Sequence, residues 1–137
     1  MGTAGEPPSR GRKSHVSIDP LSALLALREK PTRRVIGLMS GTSADGVDAA
    51  LVEIAGHGPG CTVDLLAFDT APMPQQLRER IWRLPDDRSI DLCETNFLLG
   101  EVFAEAAIGV LKKAGVHTSQ ADLVGSHGQT ARHQPPG

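Results

Sequence analysis

Two stretches of the chain gather side chains that can do chemistry. The first is Ser40-Gly41-Thr42-Ser43-Ala44-Asp45-Gly46-Val47-Asp48. Glycines at 41 and 46 let a tight turn approach an anion closely, and successive backbone N–H groups in such a turn form an anion-binding nest. Thr42 and Ser43 add hydroxyl donors. Asp45 and Asp48 are carboxylates of the kind that hold Mg²⁺ through water, since that ion takes few protein ligands. The same composition also suits a plain hairpin turn, in which Gly, Ser and Asp supply geometry only. A Walker A loop is excluded, because it requires a lysine and none lies between Lys30 and Lys112. No GxGxxG is present either. Charge compensation for a phosphate would rest on backbone dipoles and a metal ion.

The second stretch is Gly125-Ser126-His127-Gly128-Gln129-Thr130-Ala131-Arg132-His133. Apolar residues run up to Gly125, and then polar residues and glycine arrive together. In open α/β sheets, ligands gather at the carboxyl ends of strands. His127 and Gln129 offer donors and acceptors suited to sugar hydroxyls or an amide, and Arg132 could take a carboxylate bidentately. A polar loop at a strand end accounts for the same residues without any ligand. Two other chemistries fit poorly. Ser126 and His127 are adjacent, so on a strand they point to opposite faces, and no GxSxG elbow is present. His127 and His133 alone do not make a zinc site.

These stretches need elements to hold them. Val35–Met39 reads as a buried strand, Ser40–Gly46 as a turn and Val47–Ile54 as a second strand. Gly56-His57-Gly58-Pro59-Gly60 breaks it, and Thr62–Thr70 reads as a third. Such short connections predict an antiparallel meander, because parallel pairing needs a long crossover. Pro74 can open a helix running to about Leu84, and Pro85-Asp86-Asp87 ends it. Asp91 offers an N-cap, with Glu94 three residues on. Leu99, Val102, Phe103, Ala106, Ala107, Val110, Leu111 and Ala114 then recur at helical spacing, with Glu94, Glu101, Glu105 and Lys112 on the other face. Gly115 is a helix stop. Ala121–Ser126 reads as a fourth strand, joining the sheet in parallel. This α/β order resembles the opening of the actin/hexokinase-like (ribonuclease H-like) ATPase domain, left incomplete after its fourth strand. Residues 1–33, rich in Gly, Pro, Ser and Arg, read as a disordered or extended leader with a short helical piece at Ser22–Glu29. Residues 34–137 read as the first part of the ATPase domain.

Composition narrows the partners. Lys+Arg and Asp+Glu number 14 and 16 in 137 residues, a formal net charge of −2, so no basic field calls for nucleic acid or an anionic membrane. Aromatics at 3% leave no base-stacking platform. Arg10, Arg12 and Lys13 precede the apolar run Leu21–Leu27, but no cleavage site follows and the run is too short to span a bilayer. Cys61 and Cys93 have no CxxC spacing and read as free, buried thiols in a reducing compartment, with a disulfide between them left open.

Ile36-Gly37-Leu38-Met39-Ser40-Gly41-Thr42-Ser43-Ala44-Asp45-Gly46-Val47-Asp48-Ala49-Ala50-Leu51 resembles the opening signature of anhydro-N-acetylmuramic acid kinases. Ser126-His127-Gly128-Gln129-Thr130, with Arg132 and His133-Gln134-Pro135, resembles the second motif of that family. The resemblance covers about Val35 to Pro135. It implies that Gly41–Asp48 line the phosphates of ATP and that His127, Gly128, Gln129 and Thr130 lie by the sugar. It also implies a cytoplasmic enzyme of peptidoglycan recycling that uses ATP and Mg²⁺. That enzyme opens the 1,6-anhydro bond of the amino sugar and phosphorylates O6, giving N-acetylmuramic acid 6-phosphate. Leu38 and Met39 stand where many kinases of the wider superfamily carry Asp, so no metal ligand set is carried over. The family's general base is an Asp beyond Gly137, so no catalytic residue is assigned here and the isolated chain is expected to be inactive. The resemblance leaves open a homodimer of the full-length protein. A paralogue that only binds phosphate or sugar is the alternative.

Overall fold

A computed structural model describes residues 19–85 and 89–131. The elements are α1 (Pro20–Glu29), β1 (Thr32–Met39), β2 (Gly46–Ala55), β3 (Thr62–Pro72), α2 (Gln75–Arg83), α3 (Ser89–Lys113) and β4 (Leu123–Ser126). Short 3-10 turns at Gly58–Gly60 and Thr118–Gln120 join β2 to β3 and α3 to β4. The sheet order is β3-β2-β1-β4. β1 and β2 pair antiparallel, as do β2 and β3, whereas β4 runs parallel to β1 with Leu38 opposite Ser126. The short connections give hairpins, and the one long excursion, through α2 and α3, gives the parallel pair.

Alternation decides which sheet face is covered. Ile36 and Leu38 of β1 and Val47, Ala49 and Leu51 of β2 are buried together with Leu77 and Ile81 of α2 and Ala106, Val110 and Leu111 of α3. The alternate residues Met39, Phe68 and Leu65 lie on the other side and are exposed. A register shift at Leu51/Val52 puts an irregularity in the β2–β3 ladder, so Leu51 pairs with Ala67 but Val52 with Leu65.

The helix ends follow sequence cues, with one correction. α3 starts at Ser89, so Asp91 is not its N-cap; it sits in the first turn, where a carboxylate favours the positive end of the helix dipole. At the other end Gly115 adopts φ +67°. Its N–H bonds Lys112 O at 3.0 Å, and Val116 N–H bonds Leu111 O at 3.0 Å. These two bonds are the Schellman pattern, with Val116 packed against the core beside Leu111. Pro74 is the N-cap of α2, and its fixed φ suits that position.

The N-terminal boundary lies differently from the expected one. Arg34 is the third residue of β1, because Thr32 and Arg33 already pair with Ala55 and Ile54. The helical piece expected at Ser22–Glu29 is α1, whose N-cap Asp19 accepts bonds from Leu21 N–H and Ser22 N–H. No residue of α1 is buried. Residues 1–18, which hold the rest of the expected leader, lie outside the described residues. Both cysteines are free but exposed rather than buried. Cys61 falls between the 3-10 turn and β3, and Cys93 falls near the start of α3. Among the described residues no helix is long and apolar enough to cross a membrane.

Candidate functional site

The β1–β2 turn is pinned from inside. Ser40 is buried, and its hydroxyl donates to Gly46 O at 2.7 Å, closing the turn across six residues. Ala44 N–H donates to Gly41 O at 3.1 Å. Ala44 itself takes φ +47° with its methyl wholly buried, an uncommon conformation for a residue with a Cβ. From the other side, Met73 N–H bonds Asp45 O at 3.0 Å and Arg78 Nε donates to Ser43 O at 3.1 Å. Met73, just before α2, and Arg78 within it therefore brace the back of the turn.

The two glycines of this turn serve different ends. A Cβ on Gly46 would meet Ala71 O at 2.8 Å, so this glycine is required by the close approach of β3. A Cβ on Gly41 would meet only Ser43 Oγ, at 3.8 Å. The fold does not require glycine at 41, and the space above it is open. Gly41, Ser43, Asp45, Gly46 and Asp48 line a cleft of about 500 Å³ with Met39, Thr70 and Pro72.

The remaining residues of the stretch divide by burial. The side chains of Ala44 and Val47 are in the core, leaving only their backbone to a ligand. Thr42 is exposed. Ser43 Oγ donates to Asp45 Oδ1 at 2.9 Å. That bond, helped by backbone N–H groups and by the charge of Arg78, holds the Asp45 carboxyl below its ordinary range. Asp48 accepts from Thr70 Oγ1 at 2.7 Å. Two carboxylates thus face one cleft, both anchored by hydroxyls. This donor set fits Mg²⁺, which takes one or two carboxylates and keeps water and phosphate oxygens for the rest. Among the described residues no group of three or more His, Cys, Asp or Glu side chains is placed to hold a metal.

The loop after β4 opens at the same end of the sheet, because β4 is parallel to β1. His127 N–H still bonds Leu38 O at 2.9 Å, so the ladder carries its backbone one residue past the strand while its side chain is exposed. Gly128 takes φ +74° and donates its N–H to Ser126 Oγ at 3.1 Å. That hydroxyl therefore serves the turn. Gln129 then reaches back: its Nε2 donates to Gly41 O at 3.0 Å and to Thr130 O at 3.4 Å. Its Oε1 is buried and has no hydrogen-bond partner among the described residues. Thr130 is half-buried beside it. Arg132 and His133 lie outside the described residues.

The two sequence stretches thus meet through a bond between residues 88 apart. Three contributors escaped the sequence reading. Thr70 faces Asp48 only because of the β2–β3 register. Arg78 reaches Ser43 O from α2 and stacks its guanidinium on Trp82, 4.5 Å from the ring centre. Asn96 of α3 lines a second hollow of about 360 Å³ with Ser126, Gly128 and Gln129. No local pattern marked any of them, since each depends on tertiary pairing.

A mixed sheet of order 3-2-1-4, with helices crossing from the meander to a parallel fourth strand and polar loops at the shared strand ends, is the opening of an actin/hexokinase-like ATPase domain. The sequence profile of the family described as anhydro-N-acetylmuramic acid kinase matches residues 33–137, and the chain belongs to that family. Relatives of that description share 47% identity in Caldanaerobacter subterraneus subsp. tengcongensis and 45% in Salinibacter ruber, each over 84% of this chain and 30% of the relative. One from Bacillus cereus shares 44% identity over 74% of this chain and 27% of its own length. The chain spans under a third of the length of these relatives.

Proposed function

We propose that this chain carries one wall of the active site of an ATP-dependent kinase that acts on anhydro-N-acetylmuramic acid. In that reading the β1–β2 turn receives the β- and γ-phosphates of ATP, and the His127–Thr130 loop receives the sugar. The observation that carries it is the Gln129–Gly41 bond, which sets the two loops edge to edge at the carboxyl ends of β1 and β4. Open space over Gly41 supports close approach of a phosphate. Gln129 Oε1, buried and without a partner among the described residues, supports a ligand that brings an N–H or O–H donor.

The proposed reaction has two coupled parts. Water adds to C1 as the 1,6-anhydro bond opens, and the freed O6 takes the γ-phosphoryl group as ADP leaves. The product is N-acetylmuramic acid 6-phosphate, formed in cytoplasmic recycling of peptidoglycan. Phosphoryl transfer is served mainly by positioning and by stabilising charge on oxygen. Backbone N–H groups and the exposed Thr42 hydroxyl would orient the phosphates. Asp45 and Asp48 would hold Mg²⁺, which supplies neutralising charge on phosphate oxygens when bound. His127 and Gln129 would orient sugar hydroxyls. The base that takes the proton of water is assigned to no residue of this chain, and the chain alone is expected not to turn over. A general base contributes about 10²- to 10⁴-fold, and a one-walled site also leaves water in place to weaken electrostatic effects.

NMR titration of the chain with Mg²⁺ and ATP tests the phosphate assignment. Shifts should concentrate on Gly41–Asp48, and Gly41→Val should remove them while leaving the remaining spectrum folded. Undiminished nucleotide binding by that variant would overturn the assignment.

A further inference from the structure

We propose that Arg78 is a positioning residue: from α2 it holds the Ser43–Ala44 peptide in the orientation that joins the β1–β2 turn to the Gln129 side chain. The two loops then keep their shape together. The consequence for ATP and sugar rests on the function proposed above, whereas the role of Arg78 rests on geometry alone.

Arg78 is half-buried on α2. Its guanidinium stacks on Trp82, one helical turn further on, at 4.5 Å from the ring centre. Residues four apart on a helix share a face, and a stacked, planar guanidinium loses little further freedom when it bonds. Its Nε–H donates to Ser43 O at 3.1 Å. Asp45 lies near enough to feel the positive charge, yet the bond that Arg78 makes is to the backbone. Arg80 on the same helix turns instead to Glu94 of α3. Arg78 does not line the cleft of about 500 Å³ beside the turn. It therefore acts on that cleft through the turn.

The planarity of the peptide carries the effect forward. Ser43 C=O and Ala44 N–H belong to one rigid plane, so a donor that fixes the carbonyl also fixes the N–H on the opposite edge. That N–H donates to Gly41 O at 3.1 Å. The same orientation leaves Ala44 at φ +47°, where residues with a Cβ are uncommon. Ala44 is the one non-glycine with positive φ among the described residues. Turning the peptide over would break both bonds and return Ala44 to a relaxed φ. Arg78 opposes that flip.

Gly41 O is the hub. A carbonyl oxygen has two lone pairs, and both are taken here, one by Ala44 N–H and one by Gln129 Nε2 at 3.0 Å. A continuous line of bonds thus runs from Arg78 through the 43–44 peptide and Gly41 O to Gln129. Because the carboxamide is planar, fixing Nε2 also fixes Oε1, which is buried and has no partner among the described residues. The atom held out for a ligand donor is aimed from α2. Loss of Arg78 should therefore be felt at both loops, although its side chain contacts only one of them.

The test uses the 137-residue chain, labelled with ¹⁵N. Arg78→Met keeps an apolar stem against Trp82 and removes the donor and the charge. Arg83→Met removes the same charge five residues further along α2 and serves as the control. In Arg78→Met the Ala44 amide should exchange at least tenfold faster, and the Gln129 side-chain NH₂ signals should move toward those of a free glutamine. The amides of Ala49 and Leu51 in the middle of β2 should stay within twofold of the parent, and Arg83→Met should leave all of these unchanged. With Mg²⁺ and ATP, the Kd read from shifts at Gly41–Asp48 should rise at least tenfold in Arg78→Met. A parent chain that binds no nucleotide would sink the phosphate reading, and the Ala44 exchange and Gln129 signals would still decide the role of Arg78. The proposal is overturned by Gln129 signals that do not move. It is equally overturned by the same acceleration at Ala44, Ala49 and Leu51, which would be a mere loss of stability, or by nucleotide binding as tight in Arg78→Met as in the parent.

Discussion

The β1–β2 turn and the loop after β4 lie side by side, yet they are held in different ways. The turn is anchored from beneath: Ser40, Ala44 and Val47 are buried, and β3 presses against Gly46. The loop is exposed or half-buried, and its side-chain link to the turn is the amide of Gln129. A ligand that grips both would find one partner already in shape and would have to order the other. Rigid elements give positional precision, while an exposed loop supplies adaptable contacts at an entropic cost.

Substitution at the two glycines of the turn should break this contrast most visibly. Gly46→Val places a Cβ against a backbone carbonyl, which must shift, and should cost about 2–3 kcal/mol by the scale of overpacked sites. Gly41→Ala should change stability by less than about 0.5 kcal/mol, as for an unconstrained surface position. Urea melts of the two variants check the pair, and equal losses would show that the turn is not divided in this way. Ser40→Ala comes next. It removes the donor that closes the turn onto Gly46 O and should cost about 1–2 kcal/mol.

Acid should act on the β4 side of the comparison. Asp122 accepts from Lys30 Nζ and from Arg34 N–H, and these bonds, the lysine first, hold its carboxyl below the ordinary value of 3.8. A lowered folded pKa means stability that is present above 3.8 and lost as pH falls through the folded value. For so superficial a pair the amount should be under about 1 kcal/mol. Asp122→Asn should flatten the acid limb of stability below pH 4, as read by thermal melts. An unchanged limb would assign the acid sensitivity to other carboxylates. The smallest effect should follow deletion of residues 1–29, since α1 buries nothing. A loss above about 0.5 kcal/mol would mean that the segment packs on the domain.

The meander, the helices and the parallel return were legible in the sequence because each rests on local signals. Pro74 and Gly115 mark helix ends, Gly56–Gly60 marks a break, and apolar runs between turn residues mark β1 and β2. What was not legible depends on register and crowding. Gly41 and Gly46 look alike in sequence, and only the path of β3 tells them apart. Asp91 and Ser89 can both start a helix, and their residue types do not choose between them. Cys61 and Cys93 read as buried by residue type alone, whereas the packing leaves both outside. The Gln129–Gly41 bond is likewise invisible to any window shorter than the crossover that creates it.

That crossover also sets a timetable. Arg34 and Asp122, where the β1–β4 pairing begins, are separated by 88 residues. β1, β2 and β3 can zip together as soon as they leave a ribosome, but one side of β1 must then wait for β4. β3 ends at Pro72 and β4 at Ser126, 54 residues later, so at ordinary elongation speeds of about 5–20 residues per second the wait is roughly 3–11 s. During that time a strand edge that is neutral from Val35 to Met39 is open to neighbouring chains. Arg33 and Arg34 stand at its head and place positive charge where a stray strand would begin to pair. Slower translation should therefore lengthen the exposure of this edge and lower the soluble yield.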